Sequence, residues 1–206
     1  MAPRNLYVAI AMVAAVLAGA YLANRLQPPA TADSVDTATI LPDPDPVPAF
    51  SLVDQHGNDI DETVFKGQWD LVFFGFTHCP DICPMTLQVL AAARQQLADA
   101  GEESLPRLVL VSVDPERDTP DLMGRYVDYF GEGNLGITGT VGGIRQLTDG
   151  LGIYFKKQPS DDENYNVDHS AAVLAIDPDG RFHALFSGPH VIENYVHDLP
   201  IVMAGS

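Results

Sequence analysis

Unbroken apolar runs alternate with apolar positions at helical spacing along most of this chain. Leu71-Val72-Phe73-Phe74-Gly75-Phe76 has no polar break, the pattern of a central strand buried on both faces. Leu87, Leu90, Ala91, Arg94, Leu97 and Ala98 then fall at helical spacing, with Gly101 as the stop. Leu108 to Val113 reads as a second buried strand. Thr119-Pro120 reads as an N-cap followed by proline at the first helical position, opening a helix that runs to about Phe130. Ile137-Thr138-Gly139 predicts a brief strand or turn, and Val141 to Leu151 a helix. Ala171–Ile176 and Arg181–Phe186 read as strands joined by the turn Asp177-Pro178-Asp179-Gly180. Val191 to Leu199 predicts a last helix, ended by Pro200. Upstream, Phe50-Ser51-Leu52-Val53 followed by Gly57-Asn58 suggests a short hairpin. Strands alternating with helices predict an α/β domain whose sheet is covered by helices. The last two strands, joined tightly, must be antiparallel, so the sheet is expected to be mixed.

The first part of the chain reads differently. Leu6 to Ala23 is 18 residues without a charge, just long enough for a membrane-spanning helix, which needs roughly 17–25 apolar residues. A secretory signal peptide is the competing reading, with Ala18-Gly19-Ala20 as its cleavage site; the length favours an uncleaved anchor. Residues 27–49 read as a linker, with Pro28-Pro29, a polar Thr/Ala/Asp/Ser stretch and the alternation Pro42-Asp43-Pro44-Asp45-Pro46-Val47-Pro48. Alternating prolines favour an extended, semi-rigid spacer. The expected organisation is thus 1–26 anchor or signal peptide, 27–49 linker, 50–206 folded domain.

Charge narrows the partners. After Arg25 the chain carries 28 acids against 9 bases. Nucleic acid is excluded as a partner, because phosphate binding needs a basic footprint. A cation or a basic protein is a better fit, although acidity of this kind also serves solubility alone. Either reading of the N-terminal run puts the acidic domain outside the cytoplasm.

That compartment bears on Cys79 and Cys83, the chain's two cysteines, in Thr77-His78-Cys79-Pro80-Asp81-Ile82-Cys83-Pro84. Residues at i and i+4 share a helix face, so both sulfurs can point at one object: a metal ion or each other. In an oxidising compartment two thiols drift to a disulfide unless a metal or a reductase intervenes. A bridge over so short a loop constrains the unfolded chain little, which leaves metal binding or redox exchange. A cysteine at a helix N-terminus is biased toward thiolate, the form that does either job. Two thiolates suit Cu(I) or zinc, but two cysteines do not make a closed Cys-rich zinc site. With one imidazole they make a three-coordinate site of the kind Cu(I) accepts. His56, His78, His169, His183, His190 and His197 are the candidates.

Phe74-Gly75-Phe76-Thr77-His78-Cys79-Pro80-Asp81-Ile82-Cys83-Pro84 resembles the signature of the Sco/SenC family. Ser112-Val113-Asp114-Pro115-Glu116-Arg117-Asp118-Thr119-Pro120 is similar to that family's second motif, and Tyr165-Asn166-Val167-Asp168-His169-Ser170 to its third. The resemblance covers roughly residues 50–199. It implies a thioredoxin-like fold and copper bound by Cys79, Cys83 and His169. It also implies delivery of copper, Cu(I) or Cu(II), to the dinuclear copper centre in the copper-bearing subunit of cytochrome c oxidase, supplied by an upstream copper donor protein. The simple N-terminal anchor leads to an expected location in an inner membrane, with the domain facing the periplasm, or the intermembrane space if the protein is mitochondrial. The resemblance further implies that the oxidised cysteines can form a disulfide. Some bacterial relatives carry an acylated cysteine after the signal; the matching stretch Leu17-Ala18-Gly19-Ala20 has none, so the anchor is expected to be the helix itself.

The rival function is a thiol–disulfide oxidoreductase that reduces the oxidase cysteines through Cys79 and Cys83. The Cys-x-x-x-Cys spacing is one residue longer than the usual thioredoxin pair. A thiol peroxidase is a third class that nothing in the chain demands. Among neighbours, Asp168 is expected either to orient His169 or to cap a strand end, His78 to stand outside the ligand set, and Met85 to pack in the helix core. Asp81 is expected to tune the metal or favour the helix start. Asp114, Glu116 and Asp118 read as a solvated acidic loop, with a second metal site as the sharper alternative and Arg117 as their counter-ion.

Overall fold

A computed structural model describes Met12, residues 34–160 and residues 165–205. Among the described residues, eight strands form one mixed sheet in the order β1-β10-β9-β4-β5-β6-β2-β3. These are β1 (Ala38–Pro46), β2 (Leu52–Asp54), β3 (Asp59–Ile60), β4 (Asp70–Gly75), β5 (Arg107–Ser112), β6 (Leu135–Thr138), β9 (Val173–Ile176) and β10 (Arg181–Phe186). β7 (Phe155–Lys157) and β8 (Val167–His169) form a separate antiparallel ladder in which Phe155 pairs with His169. Within residues 34–160 and 165–205 the helices are α1 (Ile82–Asp99), α2 (Pro120–Asp128), α3 (Val141–Gly150) and α4 (Ile192–Ala204), with a 3-10 turn at Glu62–Phe65.

The central strands run parallel, β4 with β5 and β5 with β6, and every residue of β4 is buried, as an apolar run between two covered faces requires. β9 joins β4 antiparallel and β10 joins β9 through the Asp-Pro-Asp-Gly turn. The expected mixed sheet with helices against it is present. Helix α1 packs on α4, and α2 lies on β6. Thr119 caps α2 by accepting from the Leu122 amide, with Pro120 in the first turn. Asp70, fully buried at the start of β4, pairs with Arg107 at the start of β5 (Nε–Oδ1 2.7 Å).

Three expectations are corrected. Residues 27–49 do not form a free spacer throughout: Ala38–Pro46 is the edge strand β1, paired with β10. The prolines do keep it extended, but an edge strand tolerates residues without an amide donor. Its register shifts between Ile40 and Asp45, where the prolines lie. Val47 beyond it is buried. The strand's start is tied down by Asp198 of α4, whose carboxylate accepts from the amides of Asp36, Thr37 and Ala38, each at 2.8 Å. The last helix does not stop at Pro200 but continues to Ala204; Leu199 and Val202 are buried on it, and that packing offsets the one amide bond proline removes. Met85 is not in the core: it is exposed on α1. The run Leu6–Ala23 lies outside the described residues except for Met12, and among the described residues no helix is long and apolar enough to cross a membrane.

Candidate metal centre

The cysteine loop leaves the carboxyl end of β4 and turns back into α1. Cys79 is not on the helix. It lies in the preceding turn, its amide bonded to the Phe76 carbonyl (3.2 Å), whereas Cys83 is the second residue of α1. The i, i+4 helical geometry read from the sequence therefore does not bring the sulfurs together. A cap does: the Cys83 amide donates to Cys79 Sγ at 3.4 Å. Asp81 occupies the N-cap position yet makes no side-chain cap bond, so the sulfur satisfies a free N–H of the helix start in its place.

This arrangement splits the two thiols. The Cys83 thiol donates to Cys79, and this bond, aided by the Asp81 and Cys83 amides and opposed by burial, lowers the Cys79 pKa to about 4. Cys83, with no exposed surface, is pushed far up by that same bond and by burial. The helix start thus stabilises a thiolate on the residue outside the helix. Both cysteines are free thiols.

His169 ends β8. Its Nε2 stands 3.5 Å from Cys83 Sγ, and its Nδ1 is 3.1 Å from the Ser170 carbonyl oxygen. A carbonyl only accepts, so Nδ1 carries the hydrogen and the Nε2 lone pair faces the sulfurs. The ring meets Phe73 and Phe76 edge-on, with centroids at 5.8 and 5.9 Å, which holds its plane. One donor atom each from Cys79, Cys83 and His169 lie within 4.8 Å of one another. Two soft sulfurs and one imidazole suit a soft, low-coordinate ion. Cys79 and His169 line an open cleft of about 350 Å³ with Pro80, Asp81, Ile82 and Asp168, while Cys83 has no exposed surface.

The other predicted neighbours sort themselves. Asp168 does not touch the His169 ring and instead binds Gln158; the group that orients the histidine is the Ser170 carbonyl, for which no side-chain pattern gives a signal. His78 is exposed beside Thr77 and Asp118, away from the ligand atoms. Among the acids, Asp114 and Asp118 are buried rather than solvated. Asp118 accepts from Thr77 Oγ1 (2.6 Å) and Ser112 Oγ (2.7 Å), pinning the start of the cysteine loop to β5. Burial raises its pKa, and the Thr77 and Ser112 hydroxyls oppose that rise. Asp114 binds Arg117 and accepts from the Tyr165 hydroxyl (2.6 Å). Arg117 stacks on the Tyr165 ring at 3.7 Å and donates to its carbonyl. The acids are thus internal braces joining the second sequence motif to the first and third, and Glu116 pairs with Lys157. Asp36, His197 and Asp198 also cluster, but the Asp198 oxygens are already taken up by three amides and the Thr37 hydroxyl.

Comparison with known proteins returns one family. The family model SCO1/SenC matches residues 39–204. A mitochondrial SCO2 homolog of Bos taurus is 39% identical over 180 residues, 86% of this chain and 67% of the relative. A putative copper-binding protein of Stutzerimonas stutzeri is 34% identical over 80% of each chain. The crystal structure of Arabidopsis thaliana ScoI with copper bound superposes with a TM-score of 0.73 at 31% identity, over 78% of this chain and 99% of that one.

Proposed function

The chain belongs to the SCO1/SenC family, and we propose that it is a copper metallochaperone which holds the ion on Cys79, Cys83 and His169. The observation that carries this reading is the meeting of their three donor atoms within 4.8 Å. Copper here is cargo. The Cys79 thiolate is the first ligand available, because it is charged at neutral pH. Binding at Cys83 requires its thiol proton to leave, so loading releases protons and strengthens with pH. His169 presents an unprotonated nitrogen without rearrangement. Three ligands leave one side of the ion open toward the cleft, where incoming thiolates of a target can exchange for the protein's own. The target of this reading is the copper-bearing subunit of cytochrome c oxidase, as the resemblance of the three sequence motifs implies. An upstream donor protein loads the site. The Leu6–Ala23 run anchors the domain in an inner membrane, facing the periplasm or the intermembrane space; relatives named as mitochondrial support that setting.

A second reading is favoured by the split between the thiols. As a reductase, the Cys79 thiolate attacks a target disulfide and forms a mixed disulfide, releasing one target thiolate. Cys83 then loses its proton and attacks the Cys79 sulfur. The target leaves as one thiol, carrying the Cys83 proton, and one thiolate that takes its proton from solvent; it has gained two electrons from the domain, which is left with the Cys79–Cys83 disulfide. Consumption of the Cys79 charge removes what holds the Cys83 proton, so the second step follows from the first.

His169→Ala separates the readings. A chaperone is expected to lose copper affinity at least tenfold, since loss of a group that merely orients a ligand already costs about 10–100-fold, while disulfide exchange persists. Metal analysis with X-ray absorption on the reduced protein should count two sulfurs and one nitrogen. Undiminished copper binding in the variant would overturn the ligand set.

A further inference from the structure

We propose that His190 is a positioning residue for the His169 imidazole, linking the buried Tyr195 hydroxyl of α4 to the backbone that holds that ring. The proposal rests on the copper reading above for its functional meaning. Its geometry is independent of it.

Two consecutive carbonyls follow His169, and each accepts from an imidazole. The Ser170 carbonyl takes His169 Nδ1–H at 3.1 Å. The Ala171 carbonyl takes His190 Nε2–H at 2.6 Å. Because a carbonyl only accepts, His190 must carry its hydrogen on Nε2. Its Nδ1 is then an acceptor, and the Tyr195 hydroxyl lies 2.7 Å from it. Tyr195 is 1% exposed and stacks on Phe186 with centroids 4.6 Å apart. Burial also raises its pKa, so it remains a donor at any ordinary pH. His190 is therefore fixed at both nitrogens in one tautomer.

The peptide that matters lies between two clamps. Upstream, the Ser170 amide donates to the Tyr154 carbonyl (2.9 Å) and the Tyr154 amide to Ser170 Oγ (3.1 Å). Downstream, His190 holds Ala171. Between them sits the Ser170 carbonyl, which sets the His169 tautomer. Without His190, the Ser170–Ala171 peptide is free to rotate about its downstream side. Nδ1–H then loses its fixed acceptor, and the Nε2 lone pair is no longer held toward the sulfurs. In sequence terms His190 has no motif around it.

The test uses His190→Ala, His190→Gln and Tyr195→Phe in the full chain, with His169→Ala as reference. Ring 15N shifts of the metal-free, histidine-labelled protein are expected to show His169 purely as the Nδ1–H tautomer. In His190→Ala they should show a mixture. Copper affinity, read by chelator competition, is expected to fall about tenfold in His190→Ala, the low end for groups that orient a ligating imidazole. Glutamine can donate to Ala171 and accept from Tyr195, so His190→Gln should restore both readouts, while Tyr195→Phe should fall between. A pure Nδ1–H tautomer and unchanged affinity in His190→Ala would overturn the proposal. So would equal losses in the alanine and glutamine variants that track a drop in melting temperature, since those mark a merely structural residue. If the unaltered protein binds no copper yet the tautomer shift appears, the positioning role stands and the chaperone reading fails.

Discussion

Cys79 carries the charge of the sulfur pair and Cys83 carries its proton, and that asymmetry has a chemical readout. A small alkylating reagent at pH 6 should modify Cys79 and leave Cys83 intact by peptide mass mapping, because thiolate is the reacting form. The rate should stay nearly level from pH 8 down to 5 and fall only as Cys79 is protonated near about 4. A rate that drops tenfold per pH unit below 8 would show ordinary thiols instead. The neighbouring glycine offers a steric test. A Cβ on Gly75 would stand 3.0 Å from Cys83 Sγ and 3.0 Å from a Phe73 ring carbon. Both are buried, so Gly75→Ala must displace the sulfur or the ring. Overpacking of this kind costs about 1–3 kcal/mol, measurable by urea unfolding of the reduced protein, with copper affinity falling alongside. Wild-type values for both would mean the loop yields freely.

At the level of elements, β1 is expected to matter more than its composition suggests. A chain begun at Phe50, the boundary read from the sequence, removes the partner of β10 and the amides that satisfy Asp198. It should unfold at a clearly lower urea concentration than one begun at Ser34; identical midpoints would make β1 dispensable. The strand was illegible for a physical reason. Three prolines within Ala38–Pro46 look like a spacer, and only tertiary pairing with β10 turns extended chain into sheet. β4, β5 and α1 were legible because burial on both faces, or on one helical stripe, writes a period into the residues themselves. β7 and β8 are three residues each, too short to carry a period, yet their ladder holds His169 in place. Likewise the sulfur pair stood out as the chain's two cysteines, and His169 through its motif. The Phe73 and Phe76 edges and the Ser170 carbonyl are contacts made by folding, without local signal. The helix was foreseen, but not that Cys79 stands outside it and caps it.

For the molecule as a whole, acid should weaken the fold through His183. This ring is 5% exposed, neither of its nitrogens has a hydrogen-bond partner although Nδ1 stands 3.8 Å from Asp177 Oδ2, and it lies edge-to-face with Trp69 at 5.2 Å. Burial lowers its pKa below the usual 6.5, opposed by the Asp177 carboxylate and aided by Arg181. The folded state therefore prefers the neutral ring. Its contribution is fully present above about pH 6.5 and is lost as pH falls below that value, because the unfolded chain takes up the proton first. Urea midpoints at pH 7.5 and 5 should show a smaller difference in His183→Phe than in the unaltered protein. Equal differences would exonerate the histidine. Buried carboxyls such as Asp70 and Asp118, whose pKa values are raised, act in the opposite sense in both proteins and cancel in that comparison.

The margins of the sheet have a bearing on how copies of this protein tolerate one another. On one side the outer strand spends three of its nine residues on proline; on the other the last strand is two residues long. A foreign strand seeking to extend the ladder meets few backbone donors at either border, and Asp43 and Asp45 repel a duplicate of their own segment. Among the described residues, the borders of the eight-stranded sheet should accordingly offer a second copy little from which a shared ladder could grow.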